Sequence, residues 1–275
     1  MELNKDVVDM IVNQIKNKCN RLPEVAIILG SGLSGIADAF ENKVIIPYDE
    51  LEGMLIPNVE GHKNQFIIGE YAGKTVIALQ GRFHLYNGFT AQETTLPIYI
   101  FKQLGVKTCI LTNAAGAINK KYKAGDLVLI KSHINLTGQN PLIPSPLISY
   151  GEERFIDLSN CYDREYRETI KRIAKEKKIK IYEGIFLQDL GPCYETPAEV
   201  DAFRKLGADA VAMSSAIEAI ACNQVKLKTI GFSCISNKAA SFDAKEKLSH
   251  QEVLEKAVIS AQKLQVLIYE FIQQL

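Results

Sequence analysis

The chain has no net charge to offer a partner: across 275 residues, 32 lysines and arginines are balanced by 32 aspartates and glutamates. Without a basic field nothing holds a polyanion by its phosphates, so the balance argues against nucleic acid, and a small anion must be met in a local pocket. No stretch approaches the roughly 18 to 20 unbroken apolar residues of a membrane span. The opening MELNKDVVDMIVNQIKNK is amphipathic and mixed in charge, and lacks the basic start, apolar run and cleavage site of a secretory signal. The sequence therefore predicts a cytoplasmic protein with no membrane partner. Its six cysteines (Cys19, Cys109, Cys161, Cys193, Cys222, Cys234) form no C-x-x-C pair, which suits reduced packing thiols better than zinc ligands or a disulfide framework. Repeats, low-complexity tracts and linkers are also missing. One domain over residues 1–275 is expected, long enough to bury a core without disulfides or a structural metal.

What is present is an alternation of strand and helix patterns. The first helix carries Val7, Val8, Ile11 and Ile15 on one face, and Pro23 closes it before the β-branched run VAIIL. Further strand patterns are VII at 44–46, QFIIGEY and KTVIAL as a hairpin around Ala72-Gly73, TCILTNA, DLVLI, IYEGIFLQ, ADAVAM and TIGFSCI. Helical patterns lie in TAQETTLPIYIFKQLG, DREYRETIKRIAKEKK, TPAEVDAFRKLG and a long carboxy-terminal segment. The last aligns Val253, Leu254, Ala257, Val258, Ala261, Leu264, Ile268 and Phe271 as a packing stripe. The basic run KRIAKEKKIK interleaves Ile173, Ala174 and Ile179 and reads as a solvated helix face. The expected fold class is α/β, a single domain with a central mixed β-sheet flanked by helices.

Several polar clusters follow strands. Gly30-Ser31-Gly32-Leu33-Ser34-Gly35 comes directly after VAIIL and satisfies the letters of G-x-G-x-x-G, with Asp49 and Glu50 near the distance of a ribose-binding acid. A dinucleotide site, a small-phosphate cradle and a plain tight turn all fit the loop alone. Pro47, where that acid belongs, counts against the dinucleotide. Close approach of backbone N–H groups together with the Ser31 hydroxyl is the chemistry of an anion cradle. After KTVIAL comes Gln80-Gly81-Arg82-Phe83-His84-Leu85-Tyr86. If the strand register persists there, Arg82, His84 and Tyr86 point one way, and arginine with histidine is a phosphate-binding pair. His62, in a glycine-marked loop, either closes over the same anion or is exposed.

Thr112-Asn113-Ala114-Ala115-Gly116-Ala117 ends the next strand with small residues that either line a crevice or simply pack. Gly191-Pro192-Cys193-Tyr194-Glu195-Thr196-Pro197 sets an aromatic beside a carboxylate ahead of a helix capped by Thr196. Glu195 serves either a ligand or that helix's dipole. Cys193 has no histidine beside it in sequence and reads as structural.

Taken in order, LGSGLSG, VEGHKNQF, QGRFHLYNG, TNAAGA, HINLTGQNPL, GPCYETPAEV, GADAVAMSS, CISNKA and LSHQEV resemble the trimeric purine nucleoside phosphorylases across almost the whole chain. The resemblance implies a phosphate site of Ser31, His62, Arg82, His84, the Ala114 backbone N–H and Ser214. It implies ribose contacts from Tyr86, Met213 and His250, base contacts from Tyr194, Glu195 and Asn237, and Phe155 closing the pocket of a neighbouring subunit in a homotrimer. His84, Glu195 and Asn237 are its expected catalytic residues. Ala117 and Ala212 replace usual glycines, Ser236 a usual threonine and Tyr194 a frequent phenylalanine.

The implied chemistry agrees with the residues. Glycosidic substitution passes through an oxocarbenium-like transition state, for which hydrolases supply paired carboxylates. Here phosphate would be both nucleophile and counter-charge, so no metal or organic cofactor is expected and inorganic phosphate is a co-substrate. The expected reaction splits purine nucleosides, chiefly inosine and guanosine, into base and (deoxy)ribose 1-phosphate in purine salvage. A calcium-dependent nucleoside hydrolase would want a dense aspartate cluster near the amino terminus, and there is none. An NAD oxidoreductase or a non-catalytic nucleoside binder would leave most of these clusters without a purpose. Methylthioadenosine phosphorylases usually carry aspartate where Asn237 stands and lack a counterpart of His250.

Overall fold

The computed structural model describes residues 3–57, 63–143, 146–151, 153–241 and 250–275, with the backbone alone at 148 and 250–259. Helix α1 (Lys5–Lys18) begins where the Asn4 side chain accepts from the Val7 N–H, and it buries Val7, Val8, Ile11, Val12 and Ile15. Strand β1 (Val25–Ile28) follows, then β2 (Glu41–Pro47) and the hairpin of β3 (Gln65–Tyr71) and β4 (Lys74–Gln80), turning at Ala72-Gly73 as expected. The segment TAQETTLPIYIFKQLG is two helices rather than one, α2 (Ala91–Thr94) and α3 (Leu96–Gln103). Thr90 and Glu93 form a capping box that starts the first, and Pro97 sits in the opening turn of the second, where its missing N–H costs nothing. The rest runs β5 (Thr108–Ala117), β6 (Leu127–Asn135), α4 (Arg164–Glu176), β7 (Ile181–Gln188), α5 (Pro197–Lys205), β8 (Ala210–Ala212), α6 (Ala216–Gln224), β9 (Lys228–Lys238) and α7 (His250–Gln273).

Among the described residues nine strands form one mixed sheet in the order β2-β3-β4-β1-β5-β8-β7-β6-β9, and β9 pairs back onto β5. The strands β5, β8, β7, β6 and β9 therefore close into a ring, from which β1, β4, β3 and β2 extend as an open sheet. Within β1, Ala26 and Ile28 face the side covered by α1, α3 and α6, while Val25 and Ile27 face α4 and α7. Burial on both faces is why this strand reads as an unbroken apolar run. The ring interior is filled by Ala115, Ala117, Val128, Ala210, Ile235 and Tyr122, small residues predominating where strands converge. Strands β1, β4, β5 and β9 run in one direction, so the loops after them open at the same edge, where open α/β sheets hold ligands.

Candidate active site

A cavity of about 110 Å3 lies at that edge. Ser31 enters it from the end of β1, and Arg82, His84 and Tyr86 from the segment after β4. Ala114 lies in β5 itself, while Met213 and Ser214 leave β8. Tyr194 and Glu195 come from the segment between β7 and α5, and Asn237 from the end of β9. The clusters expected from sequence thus converge, with three exceptions. Phe155 stands 90% exposed and does not line the cavity. His62 lies outside the described residues, and so does the His250 side chain, although His250 opens α7.

Of the alternatives open for the glycine loop, the geometry counts further against the dinucleotide site. After β1 the chain enters a 3-10 turn, Ser34–Ala39, rather than an α-helix, so there is no α-helical N-terminus to receive a pyrophosphate. Asp49 and Glu50 occupy another short turn and do not line the cavity. What the loop provides is close approach. The Gly30 N–H donates to Thr112 Oγ1 at 2.9 Å, and that hydroxyl donates to the Ile28 carbonyl at 2.8 Å.

The strand register expected to align Arg82, His84 and Tyr86 does not persist either, since β4 ends at Gln80 and Leu85–Asn87 form a 3-10 turn. The turn still gathers the three: the His84 and Tyr86 rings stack at 4.6 Å and 21°. Arg82 is 2% exposed. Its Nη1 donates to the Thr112 carbonyl at 2.8 Å and to Ser214 Oγ at 3.0 Å. Its Nε lies 2.8 Å from Glu218 Oε1, an ionic contact with the N–H off the line. Its Nη2 has no hydrogen-bond partner among the described residues. A guanidinium so buried is tolerable only with such compensation.

Asn237 reaches the cavity by a local irregularity. Ala115 pairs with Ile235 but Gly116 with Asn237, so a bulge at Ser236 shifts the register and re-aims the side chain. Ser236 Oγ donates to Asn237 Oδ1 at 2.8 Å, and Asn237 Nδ2 donates to the Lys238 carbonyl at 2.9 Å. One N–H and one lone pair of the amide remain for a ligand. Arg82 is anchored at Thr112 and Asn237 sits opposite Gly116, so their anchor points on β5 are four residue steps apart, roughly 13 Å of extended chain.

Glu195 does not serve the helix beside it. The capping box of α5 is made by Thr196 and Glu199, whose carboxylate accepts from the Thr196 N–H and hydroxyl. Glu195 is buried, and burial raises its carboxyl pKa, with Asp189 and Glu199 adding to the shift. Its loop is drawn in at Gly191, where φ is +71° and a Cβ would strike Met213 Sδ and lie 3.2 Å from the Tyr86 ring. Cys193 is exposed and lies outside the cavity lining.

Sequence reasoning missed two supporting residues. Glu218 is 3% exposed, and burial raises its pKa against the opposing pull of Arg82. Gln188 Oε1 accepts from the Ala216 and Ile217 N–H groups at 2.8 and 3.1 Å and so caps α6. The signal for Glu218 was one acid inside AIEAIACNQ, a helix apolar on every side, where a carboxylate requires a buried partner. Among the described residues no group of three or more histidine, cysteine or acidic side chains gathers to hold a metal. No described helix is long and apolar enough to cross a membrane.

Donors at one end of such a cavity suit an anion, and a carboxylate with a carboxamide at the other suits a heterocycle bearing both donors and acceptors. The comparisons with known proteins agree. The family model of the phosphorylase superfamily matches residues 24–273. Purine nucleoside phosphorylase 1 of Bacillus subtilis (strain 168) is 42% identical over 251 residues, covering 91% of this chain and 92% of the relative. The purine nucleoside phosphorylase of Schistosoma mansoni, solved in complex with inosine, superposes with a TM-score of 0.93 at 34% identity, covering 99% of this chain and 97% of that one. Its complex with adenosine gives 0.92 at 34% identity, covering 99% and 98%.

Proposed function

The chain belongs to the phosphorylase superfamily and is a purine-nucleoside phosphorylase, and from that premise we propose that it acts chiefly on 6-oxopurine nucleosides, inosine and guanosine, in purine salvage. In this reading inorganic phosphate lies against Ser31, Arg82, His84, the Ala114 N–H and Ser214, with His62 added from its loop. Tyr86, Met213 and His250 contact the ribose, and Tyr194, Glu195 and Asn237 the base. Phe155 completes the pocket of a neighbouring subunit in a homotrimer.

The chemistry follows from that arrangement. As the bond between C1′ and N9 breaks, its electron pair passes to the purine and positive charge develops on the ribose. The phosphate beneath stabilises that charge, and one of its oxygens then bonds C1′ to give ribose 1-phosphate. Asn237 donates to O6 and accepts from N7–H once the departing purine anion has taken a proton there from solvent water, while the Glu195 carboxylate accepts from N1–H. These bonds strengthen as charge arrives on the leaving base, which is where stabilisation lowers the barrier. No metal or organic cofactor enters the scheme.

The observation that carries the reading is the buried Arg82, tied to Ser214, lining one cavity with the Asn237 amide, their anchor points on β5 four residue steps apart. That the Schistosoma mansoni enzyme has been solved with adenosine as well as inosine makes the proposed preference one of rate rather than of exclusion. The test is to incubate the protein with inosine, with and without inorganic phosphate, and to follow hypoxanthine and ribose 1-phosphate. Base release is expected only with phosphate, in step with the sugar phosphate. Equal release in phosphate-free buffer would overturn the reading.

A further inference from the structure

Glu218 has no packing reason to be an acid. On α6 it is surrounded by the buried Ala216, Ile217, Ala219, Ile220, Ala221 and Cys222, and a carboxylate among them is costly unless a cation compensates it. Arg82 is that cation, with 2.8 Å between Nε and Oε1. The pair is not closed on itself: Oε2 of Glu218 and Nη2 of Arg82 have no hydrogen-bond partner among the described residues. Arg82 lines the cavity and Glu218 does not, so the carboxylate matches the guanidinium's charge from outside the ligand space.

We propose that Glu218 is a positioning residue that both aims Arg82 and offsets its charge, so that the phosphate bound there keeps the negative charge the reaction uses. The inference rests on the phosphate site proposed above. A bound phosphate has two tasks, to stay in place and to place electron density under C1′. A guanidinium with nothing behind it serves the first at the expense of the second. It holds phosphate and the product sugar phosphate more tightly, and draws charge from the oxygen that must attack. Binding gained equally in the ground and transition states lowers KM without raising kcat, and tighter product binding lowers kcat further. Glu218, one guanidinium away from the anion, sets that balance without touching it.

The test is the kinetics of Glu218→Gln, which keeps the shape and an acceptor oxygen for Arg82 while removing the charge. The phosphate KM is expected to fall by roughly 3- to 30-fold, the size of one unit charge at this separation in a partly screened site, and kcat to fall with it. Calorimetric titration of inorganic phosphate should show the same tightening without turnover. Glu218→Asp keeps the charge but withdraws the carboxylate. It should leave the phosphate KM within about twofold and lower kcat, and it supplies the test should the glutamine variant fail to fold. A Glu218→Gln enzyme with unchanged constants, or with a raised phosphate KM, would overturn the inference, as would a lowered phosphate KM in Glu218→Asp. Arg82→Ala separates this from the parent reading: if it leaves phosphate kinetics intact the phosphate site itself is wrong, whereas if it impairs them the Glu218 outcomes stand alone.

Discussion

Gly30 and Asn113 meet backbone to backbone: a Cβ built on Gly30 would lie 2.8 Å from the Asn113 Cα and 2.8 Å from the Thr112 carbonyl oxygen. Neither neighbour is the free end of a flexible side chain, so Gly30→Ala must push β1 away from β5. The expected cost is about 1–3 kcal/mol of stability, read from the denaturation midpoint. A loss of kcat/KM should accompany it, because Thr112 O also anchors Arg82. A variant as stable and active as the parent would mean that this contact yields easily.

Glu195 makes a pH prediction whose sign follows from its raised pKa. Below the ordinary glutamate range the carboxyl is neutral folded or unfolded. Between that range and the raised folded value the folded protein holds a proton that the unfolded chain releases, so stability falls as pH rises. Glu195→Gln has no such penalty. It should match the parent in Tm at acid pH and exceed it at neutral pH, while losing activity because the acceptor for N1–H is gone. In the parent, kcat/KM for inosine should fall on acidification at a pH above the usual carboxylate range, and the glutamine variant should lack that limb. Identical pH profiles would remove Glu195 from the base site.

Asn237 should decide which 6-substituent is tolerated. Adenosine places an amino donor where inosine has an acceptor, and flipping the amide forfeits the bond to N7. The parent is expected to favour inosine by at least roughly a hundredfold in kcat/KM. Asn237→Asp puts an acceptor against the Lys238 carbonyl, where Nδ2 now donates, so the inosine rate should fall. The ratio of the two nucleosides should narrow or invert. A parallel loss on both substrates would show that Asn237 does not read the 6-position.

Phe155 is the clearest apolar anomaly, 90% exposed. Burying such a ring against a neighbour is worth about 1.5–3 kcal/mol, consistent with a place in an adjacent subunit's pocket. Light scattering should give a trimer, and Phe155→Ala should raise the nucleoside KM roughly tenfold or more with little change in subunit Tm. A fully active monomer would exclude the arrangement.

The elements that position the cavity were legible because their signals are local. The hairpin at Ala72-Gly73 and the doubly buried VAII run follow from turn chemistry and apolar patterning alone. Ser31, Arg82 and Asn237 were legible only as members of an ordered set of motifs, since each by itself fits a bland role. The period-two rule brought Arg82, His84 and Tyr86 together for the wrong reason, because the strand stops at Gln80 and a turn completes the job. Glu218 escaped because its partner is 136 positions away in sequence, and no local pattern reports a contact of that range. The bulge at Ser236, which re-aims Asn237, likewise depends on how two strands pair and not on either one.

Strand β5 is shared by the ring and the open sheet, through its pairing with β1 and then β8 along one edge and with β9 along the other. It therefore acts as a ruler. Arg82 hangs from Thr112, Asn237 from Gly116, and the peptide units between them fix how far apart the proposed nucleophile and leaving base are held. A residue inserted between those positions would lengthen the span by about 3.3 Å and turn the following side chains to the opposite face. Length changes at the Ala72-Gly73 turn, at the far end of β4, would not reach the ruler at all. The chain's freedom to vary in length is thus partitioned: wide at the edge of the sheet remote from the cavity, and nil along five residues of one strand.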